Sequence, residues 1–531
     1  MIARPSDGWP SHRSWFTLAH AMPCVVLGVA VATQWAARFV MDDSLMFVRY
    51  ADHLLGGEGL AWNRGDDPVY GPTSLAYVWV VAIVRLFADS VAMAVQLSSV
   101  LCGAAFVFLV SRLAREAGGA NGQVASVVTL TALAFWSDSL SAHFTTGMDT
   151  TFAMAFLAGF LLMAGGVESG RSGYAMGTSI GGGLALAVRP ELCLFTVLVP
   201  AVAAMIGPSS KRRVWGAVGA GTIGIFLAHV LLAWGVLGTP LPLSFYTKSV
   251  HGYGAGFASE YGHVALAEFV DFASGYWLLI LPIAIGLCFL RERKERSLSV
   301  EIGVLAATVL FLFYHLFMTL PIMPYKERFF HPVLPAFAYL AGRAMSGFQI
   351  GTFHEDVRSR LPLVTALFVA AILSSPGIAS AKAFRKGVQA GAVGAFDLVE
   401  TYRATSQSDR WFALDRFSEL PDDLVISATE IGLPAALNPG KRIVDMAGLN
   451  HRSFAVDGFD LDQFFDEGAD LVFLPHPHYI RIIRMLRADG RWSRRYRVIE
   501  AETTGTEFGV ALLEASPHYD RMRRIVDEAI P

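Results

Sequence analysis

Charge is what this chain has least of. Asp, Glu, Lys and Arg make up 16% of its 531 residues, against a hydrophobic share of 54%. A chain that long and that poor in charge falls outside the composition of soluble domains, and membrane spans account for it best. Cysteine is scarce as well. Cys24, Cys102, Cys193 and Cys288 each fall inside an apolar stretch, which reads as small buried hydrophobes and excludes a disulfide framework or a cysteine metal site. No long basic stripe exists. With 42 Lys and Arg against 45 Asp and Glu, the net charge is −3, and nucleic acid is not expected as a partner. Internal repeats, low-complexity tracts, phosphate-binding glycine loops, nucleophile elbows and His-Glu-x-x-His or Cys-x-x-Cys patterns are all missing.

What the chain does have is apolar runs. Given about 20 residues per membrane-spanning helix, the candidates are Trp15–Ala37, Val91–Leu113, Val124–Leu140, Thr151–Gly166, Tyr174–Val188, Glu191–Ile206, Val214–Leu237, Tyr276–Phe289, Val300–Pro321, Phe330–Met345 and Leu361–Ile378. Thr73–Phe87 is apolar but short and carries Arg85. The loops at Arg112 and Arg115, at Lys211 to Arg213 and at Arg291 to Arg296 are basic and an even number of spans apart, so they belong on the cytoplasmic side. That arrangement holds with a cytoplasmic amino terminus if Thr73–Phe87 lies along the membrane surface. The outer face then receives Asp42 and Asp43, Asp149, Arg189 and Glu191, Lys248, Lys326 and Arg328, and everything after Ile378.

From Lys382 onward charge becomes frequent and short strand-like pieces appear at Leu424–Ser427, Arg442–Asp445, Leu471–Leu474 and Gly509–Leu513, with helical patterns at Tyr479–Ala488 and Ser516–Ala529. The fold class expected is an α-helical polytopic membrane protein of about eleven transmembrane helices, with juxtamembrane helices on its outer side and a soluble C-terminal α/β domain. The boundary falls near residue 380, giving a membrane domain of 1–380 and an outer domain of 381–531.

Asp42 and Asp43 directly follow the first apolar run, where nearby hydrocarbon makes charge costly. Such a pair can act as a general base, hold a divalent cation, or cap the following helix. Arg189, Lys248, Lys326 and Arg328 could grip an anionic phosphate, with interfacial snorkelling as the alternative for the lysines. Arg189 has little loop in which to escape, because Pro190 ends the helix before it. Tyr70 and Tyr246 could face a sugar or belong to an aromatic belt. His315 inside a span reads as a structural histidine, and His476-Pro477-His478 lacks a third ligand for zinc.

These pieces together resemble the integral-membrane GT-C glycosyltransferases that use polyprenyl-phosphate sugars, with a flavour of the cell-wall arabinofuranosyltransferases that add terminal β-linked arabinose. The likeness rests on Asp42 to Tyr50, Gly59 to Asn63, Tyr70 to Leu75, Thr146 to Thr150, Arg189-Pro190-Glu191, Leu241 to Lys248, Arg328 to Pro332 and Val444 to Leu449, in order along nearly the whole chain. Met148-Asp149 and Tyr70-Gly71-Pro72 depart from the family's usual Leu-Glu and Gly-Tyr-Thr-like runs. The resemblance implies an inverting transferase in a plasma or inner membrane, its site facing the exterior. An acid on the first outer loop (Asp42 or Asp43) would serve as base, the cations would hold the donor phosphate, and Asp149, Glu191, Tyr246 and Tyr70 would bind substrate. No cofactor is required, and a divalent cation is compatible with the acidic pair. The partners implied are a polyprenyl-phosphate sugar, an envelope glycan or glycolipid acceptor, and membrane lipid. The alternative is a transporter or flippase for a lipid-linked or anionic solute, whose polar groups belong near mid-membrane in paired repeats.

Overall fold

The computed structural model describes residues 23–24, 26–28, 40–135, 138–171, 173–250, 257–288, 298–319, 327–347, 414–475, 479–503 and 506–529. Lys326, His476 to His478, the boundary near residue 380, the span Leu361–Ile378 and nearly all of Trp15–Ala37 lie outside the described residues.

Apolar runs become helices here because a backbone out of water must satisfy its own hydrogen bonds. Among the described residues four stretches are long and apolar enough to cross a membrane: Val91–Leu133, Thr150–Glu168, Ser209–Leu237 and Ser299–Met318. The first of them doubles back. Its helix Val91–Gly118 ends at Gly119, whose φ is +54°, and Gly122–Phe135 returns alongside it, with Ser111 and Ser126 sharing a hydroxyl hydrogen bond of 2.8 Å. A fifth such stretch would need Val264–Gly275 and Trp277–Gly286 to act together across a bend of 82°. The expected count of eleven is therefore met only in part among the described residues. Tyr174–Val188, for instance, breaks into Gly173–Gly183 and Ala185–Val188. The protein is a multi-pass membrane protein built on a helical bundle, in which Val91–Gly118 packs between Thr150–Glu168 and Leu334–Gly347.

Leu75–Arg85, at 11 residues, spans only about 16 Å, too short for a hydrocarbon core of about 30 Å. It lies beside Asp42–Leu55, where Arg85 pairs with Asp52 at 2.8 Å. One face buries Tyr77, Val78 and Val81; the other exposes Trp79 and Ile83, with Leu86 and Phe87 exposed just beyond its end. That is the pattern of a helix lying along an apolar boundary.

The C-terminal unit is a five-stranded mixed sheet ordered β2-β1-β3-β5-β4, from β1 (Val425–Ala428), β2 (Arg442–Asp445), β3 (Leu471–Phe473), β4 (Tyr496–Thr503) and β5 (Thr506–Leu513). β1 runs parallel to both β2 and β3, placing Ile426 opposite Ile443 and Leu471, while β3–β5 and β5–β4 are antiparallel. The four expected strands are all present. β4 is additional. As an edge strand it reads Tyr-Arg-Val-Ile-Glu-Ala-Glu-Thr, and its charges hide it from a search for apolar runs. The last helix starts at Tyr519, because Ser516 Oγ instead accepts the amide of His518 in the preceding turn.

The sheet is clasped to the segment Met41–Ser74. Buried Arg49 donates to the carbonyls of Trp62 (2.6 Å) and Lys441 (2.9 Å) and to Asn63 Oδ1 (3.1 Å), while Trp62 Nε1 donates to the Ile443 carbonyl at 2.9 Å. Asn63 Oδ1 also accepts the Ile443 amide at 2.8 Å, so β2 is in effect extended by side chains from the first loop.

Candidate active site

A cleft opens where the bundle, the Met41–Ser74 segment and the C-terminal unit meet. It encloses roughly 1010 Å³ including its mouth, and Asp43, Asp149, Arg189, Glu191, Lys248 and Arg328 all line it. Most arrive where a helix begins or is broken. Asp43 sits in the first turn of Asp42–Leu55. Asp149 occupies the cap position of Thr150–Glu168 without capping it, which leaves the carboxylate to face Arg189. The loop before it is pressed onto the first helix at Gly147, whose φ is +82° and where an added Cβ would lie 2.6 Å from Ser44 Oγ. Arg189 is in extended backbone between Ala185–Val188 and the turn Pro190–Leu192, the break that Pro190 imposes.

Two π-turns, each widening a helix by one residue per turn, deliver Lys248 (Tyr246–Val250) and His315 (Tyr314–Met318). Arg328 follows Glu327, a non-glycine residue with φ of +48°. That strained conformation is held from both sides, the Glu327 amide donating to Glu268 Oε2 at 3.1 Å and its carbonyl lying 3.1 Å from His331 Nδ1. The C-terminal unit completes the wall with Leu449 and Asn450. Asp445 shapes their loop by accepting the amides of Ala447 (2.9 Å) and Asn450 (2.8 Å), and Asn450 Oδ1 accepts the Tyr50 hydroxyl at 2.8 Å.

The charges are arranged unevenly. Arg328 Nη1 donates to Asp43 Oδ2 at 2.9 Å. Arg189 Nε lies 2.9 Å from Glu191 Oε1, in ion-pair contact but out of line for a hydrogen bond, and 3.8 Å from Asp149 Oδ2. Lys248 makes no ion pair among the described residues, and its ammonium sits 5.9 Å from the Phe329 ring centre, with the Arg328 guanidinium 5.0 Å from the same ring. Burial, then the neighbouring Arg328, pull the Lys248 ammonium down to about 8, against the opposing pull of Asp43. Burial raises the Asp149 carboxyl, with Arg189 opposing.

The structure separates the two acids of the pair. Asp43 faces the cleft with one oxygen on Arg328. Asp42 is half-buried and turns away, its Oδ2 and Oδ1 accepting the amides of Gly432 (3.0 Å) and Leu433 (2.6 Å). It caps a helix after all, one that lies 390 residues further along the chain. Withdrawal from water, then Glu430 and Asp43, push its carboxyl up to about 7 despite the two amides. A raised carboxyl favours the protonated form in the docked protein, so its contribution is complete below about pH 4 and is lost as pH rises towards 7. The midpoint of thermal unfolding is accordingly expected to fall across that window, and less steeply in Asp42→Asn.

Neither tyrosine lines the cleft. Tyr70 is fully buried between Leu60 and the helix Ser209–Leu237, its hydroxyl 3.1 Å from His229 Nε2, and Tyr246 packs edge-on against Phe245. Both had polar-tipped aromatic character suited to a sugar surface, and both spend it on packing. Conversely, Ser244, His315, Phe329 and Asn450 line the cleft without having stood out as site residues. Phe329 and Ser244 lay inside motifs already singled out. Asn450 follows such a motif directly, and nothing in the sequence places it beside Tyr50.

No protein-family model and no curated protein matches the sequence. Solved structures do. The crystal structure of ArnT from Cupriavidus metallidurans bound to undecaprenyl phosphate aligns with 95% of this chain and 99% of its own, at a TM-score of 0.56 and 13% identity. The apo form of the same protein aligns with 94% and 98%, at 0.53 and 14% identity. EmbB, the arabinosyltransferase of Mycobacterium smegmatis, aligns with 94% of this chain and 46% of its own at 15% identity, but a TM-score of 0.35 carries no argument. The likeness to ArnT is one of fold, along nearly the whole of both chains.

Proposed function

We propose that this chain is an inverting membrane glycosyltransferase. It moves a sugar from a polyprenyl phosphate to a hydroxyl of an envelope glycan or glycolipid on the outer face of the membrane. Arabinofuranose is the sugar that the sequence resemblance favours. The observation that carries the reading is a single cleft in which a carboxylate, Asp43, stands among Lys248, Arg328 and Arg189. The fold supports it, being shared with a protein crystallised with undecaprenyl phosphate.

In this reading the acceptor hydroxyl oxygen attacks the anomeric carbon while its proton passes to Asp43. The bond from that carbon to the phosphate oxygen breaks, and its electron pair leaves on the lipid phosphate. Displacement from the opposite face inverts the anomeric centre. Positioned proton transfer supplies about 10² to 10⁴-fold in rate. Lys248 and Arg328 stabilise the growing phosphate charge as preorganised cations in a site screened from water. Asp43 is the assigned base because both oxygens of Asp42 are occupied by amides.

Lys248 gives a test of the phosphate site. Lys248→Met is expected to weaken binding of undecaprenyl phosphate by about 10 to 100-fold, the range for losing a charge-assisted contact. In the wild type that affinity should fall as pH rises through about 8, where the ammonium loses its proton, while Lys248→Arg should hold it to higher pH. A pH-independent affinity would remove Lys248 from the phosphate. The function itself is tested by incubating purified protein with a panel of polyprenyl-phosphate sugars and determining the product's linkage. Donor movement across vesicles without glycosidic product would indicate transport instead.

A further inference from the structure

The cleft holds a second group of polar atoms that the phosphate does not account for. Arg189, Glu191 and His315 line it with side chains 8%, 7% and 3% exposed. Arg189 Nε, Glu191 Oε1 and His315 Nε2 have no hydrogen-bond partner among the described residues. Polar atoms that deep are normally satisfied, so the group is built for something that enters from the cleft. Its spacing says what. His315 Nε2 is 3.8 Å from Glu191 Oε1, and Arg189 Nε is 3.8 Å from Asp149 Oδ2. Both gaps are too wide for a direct bond and suit an oxygen lying about 2.8 Å from each side. An oxygen that must donate to a carboxylate and also meet a ring or guanidinium nitrogen is a hydroxyl, a water's in the empty cleft and a ligand's once that water is displaced.

We propose that Arg189, Asp149, Glu191 and His315 form a sugar subsite that binds ring hydroxyls of the donor, distinct from the phosphate site at Lys248 and Arg328. This rests on the glycosyltransferase reading and refines it. The sequence alone placed Arg189 with the phosphate-binding cations. In the structure its single charge faces two carboxylates, so a phosphate there would meet net negative charge. Among the described residues Lys248 has no such partner, and Arg328 has one. Phe329 is the partition between the two halves. The His315 ring stacks on it at 5.8 Å and 27°, and both phosphate-site cations approach the same ring.

Two probes separate the halves in the full-length protein: undecaprenyl phosphate, and the same lipid phosphate carrying arabinofuranose or mannose. Glu191→Gln and His315→Phe are each expected to lower affinity for a sugar-bearing lipid at least 10-fold while bare undecaprenyl phosphate binds within two-fold of wild type, which also reports an intact cleft. Lys248→Met should weaken both probes together. An equal loss of both probes in Glu191→Gln or His315→Phe, or no loss of either, overturns the subsite alone. Failure of the wild type to bind any of these lipids overturns the glycosyltransferase reading and the subsite with it.

Discussion

Asp43→Asn is expected to reduce turnover by about 10² to 10⁴-fold with lipid-phosphate binding unchanged or tighter. The asparagine keeps the shape of the side chain and removes its capacity to take a proton. It also releases Arg328, whose Nη1 donates to Asp43 Oδ2 at 2.9 Å in the wild type, and a released guanidinium is available to phosphate. A merely structural Asp43 would give the opposite signature, with binding and turnover falling together. Asp42→Asn is the paired control. It should leave chemistry largely in place and loosen the C-terminal unit, since an amide presents one acceptor where the carboxylate serves two donors. Single-turnover transfer from a labelled donor, measured beside equilibrium binding, separates these cases. Normal turnover in Asp43→Asn would end its assignment as base.

Gly432→Ala should have the second large effect, at a position more than 380 residues from the proposed base. A Cβ there would sit 1.9 Å from the Asp42 carbonyl oxygen and 3.0 Å from its Cγ. The obstacle is main chain, which cannot rotate aside, so the helix Gly432–Leu437 must lift. Lifting breaks both amide bonds to Asp42, each worth about 1 kcal/mol. It also withdraws the wall formed by Leu449 and Asn450. Faster proteolytic release of the C-terminal unit and at least a 10-fold loss of transfer are the expected results. Native protease resistance with native activity would show that the contact has slack.

The contrast between those two acids marks where sequence reasoning stops. Position 42 or 43 was legible as a candidate because charge beside an apolar run needs a reason, and Arg189 was legible as one because Pro190 left it no loop. Which acid faces the cleft was not, because the answer depends on amides 390 residues away. That Tyr70 and Tyr246 do not line the cleft was illegible for a related cause: an aromatic with a polar tip suits a ligand, a membrane boundary or a buried carbonyl equally well. The strands β1, β2, β3 and β5 were readable from short apolar runs, while β4 was masked by the charges that an edge strand carries. The number of crossings was least legible, since apolar runs such as Tyr174–Val188 are cut by local breaks that hydropathy does not register.

Arg49 sets a rule for anyone wishing to rebuild this molecule. Its guanidinium is shared among Trp62, Asn63 and Lys441, two from the first loop and one from the distant sheet. Trimming the chain back to its helices would strand that cation, and grafting the sheet from another protein would give it foreign neighbours. The exchangeable module is therefore discontinuous: residues 41–74 must travel with 414–529, and a chimera that moves only the tail would inherit two halves that do not fit.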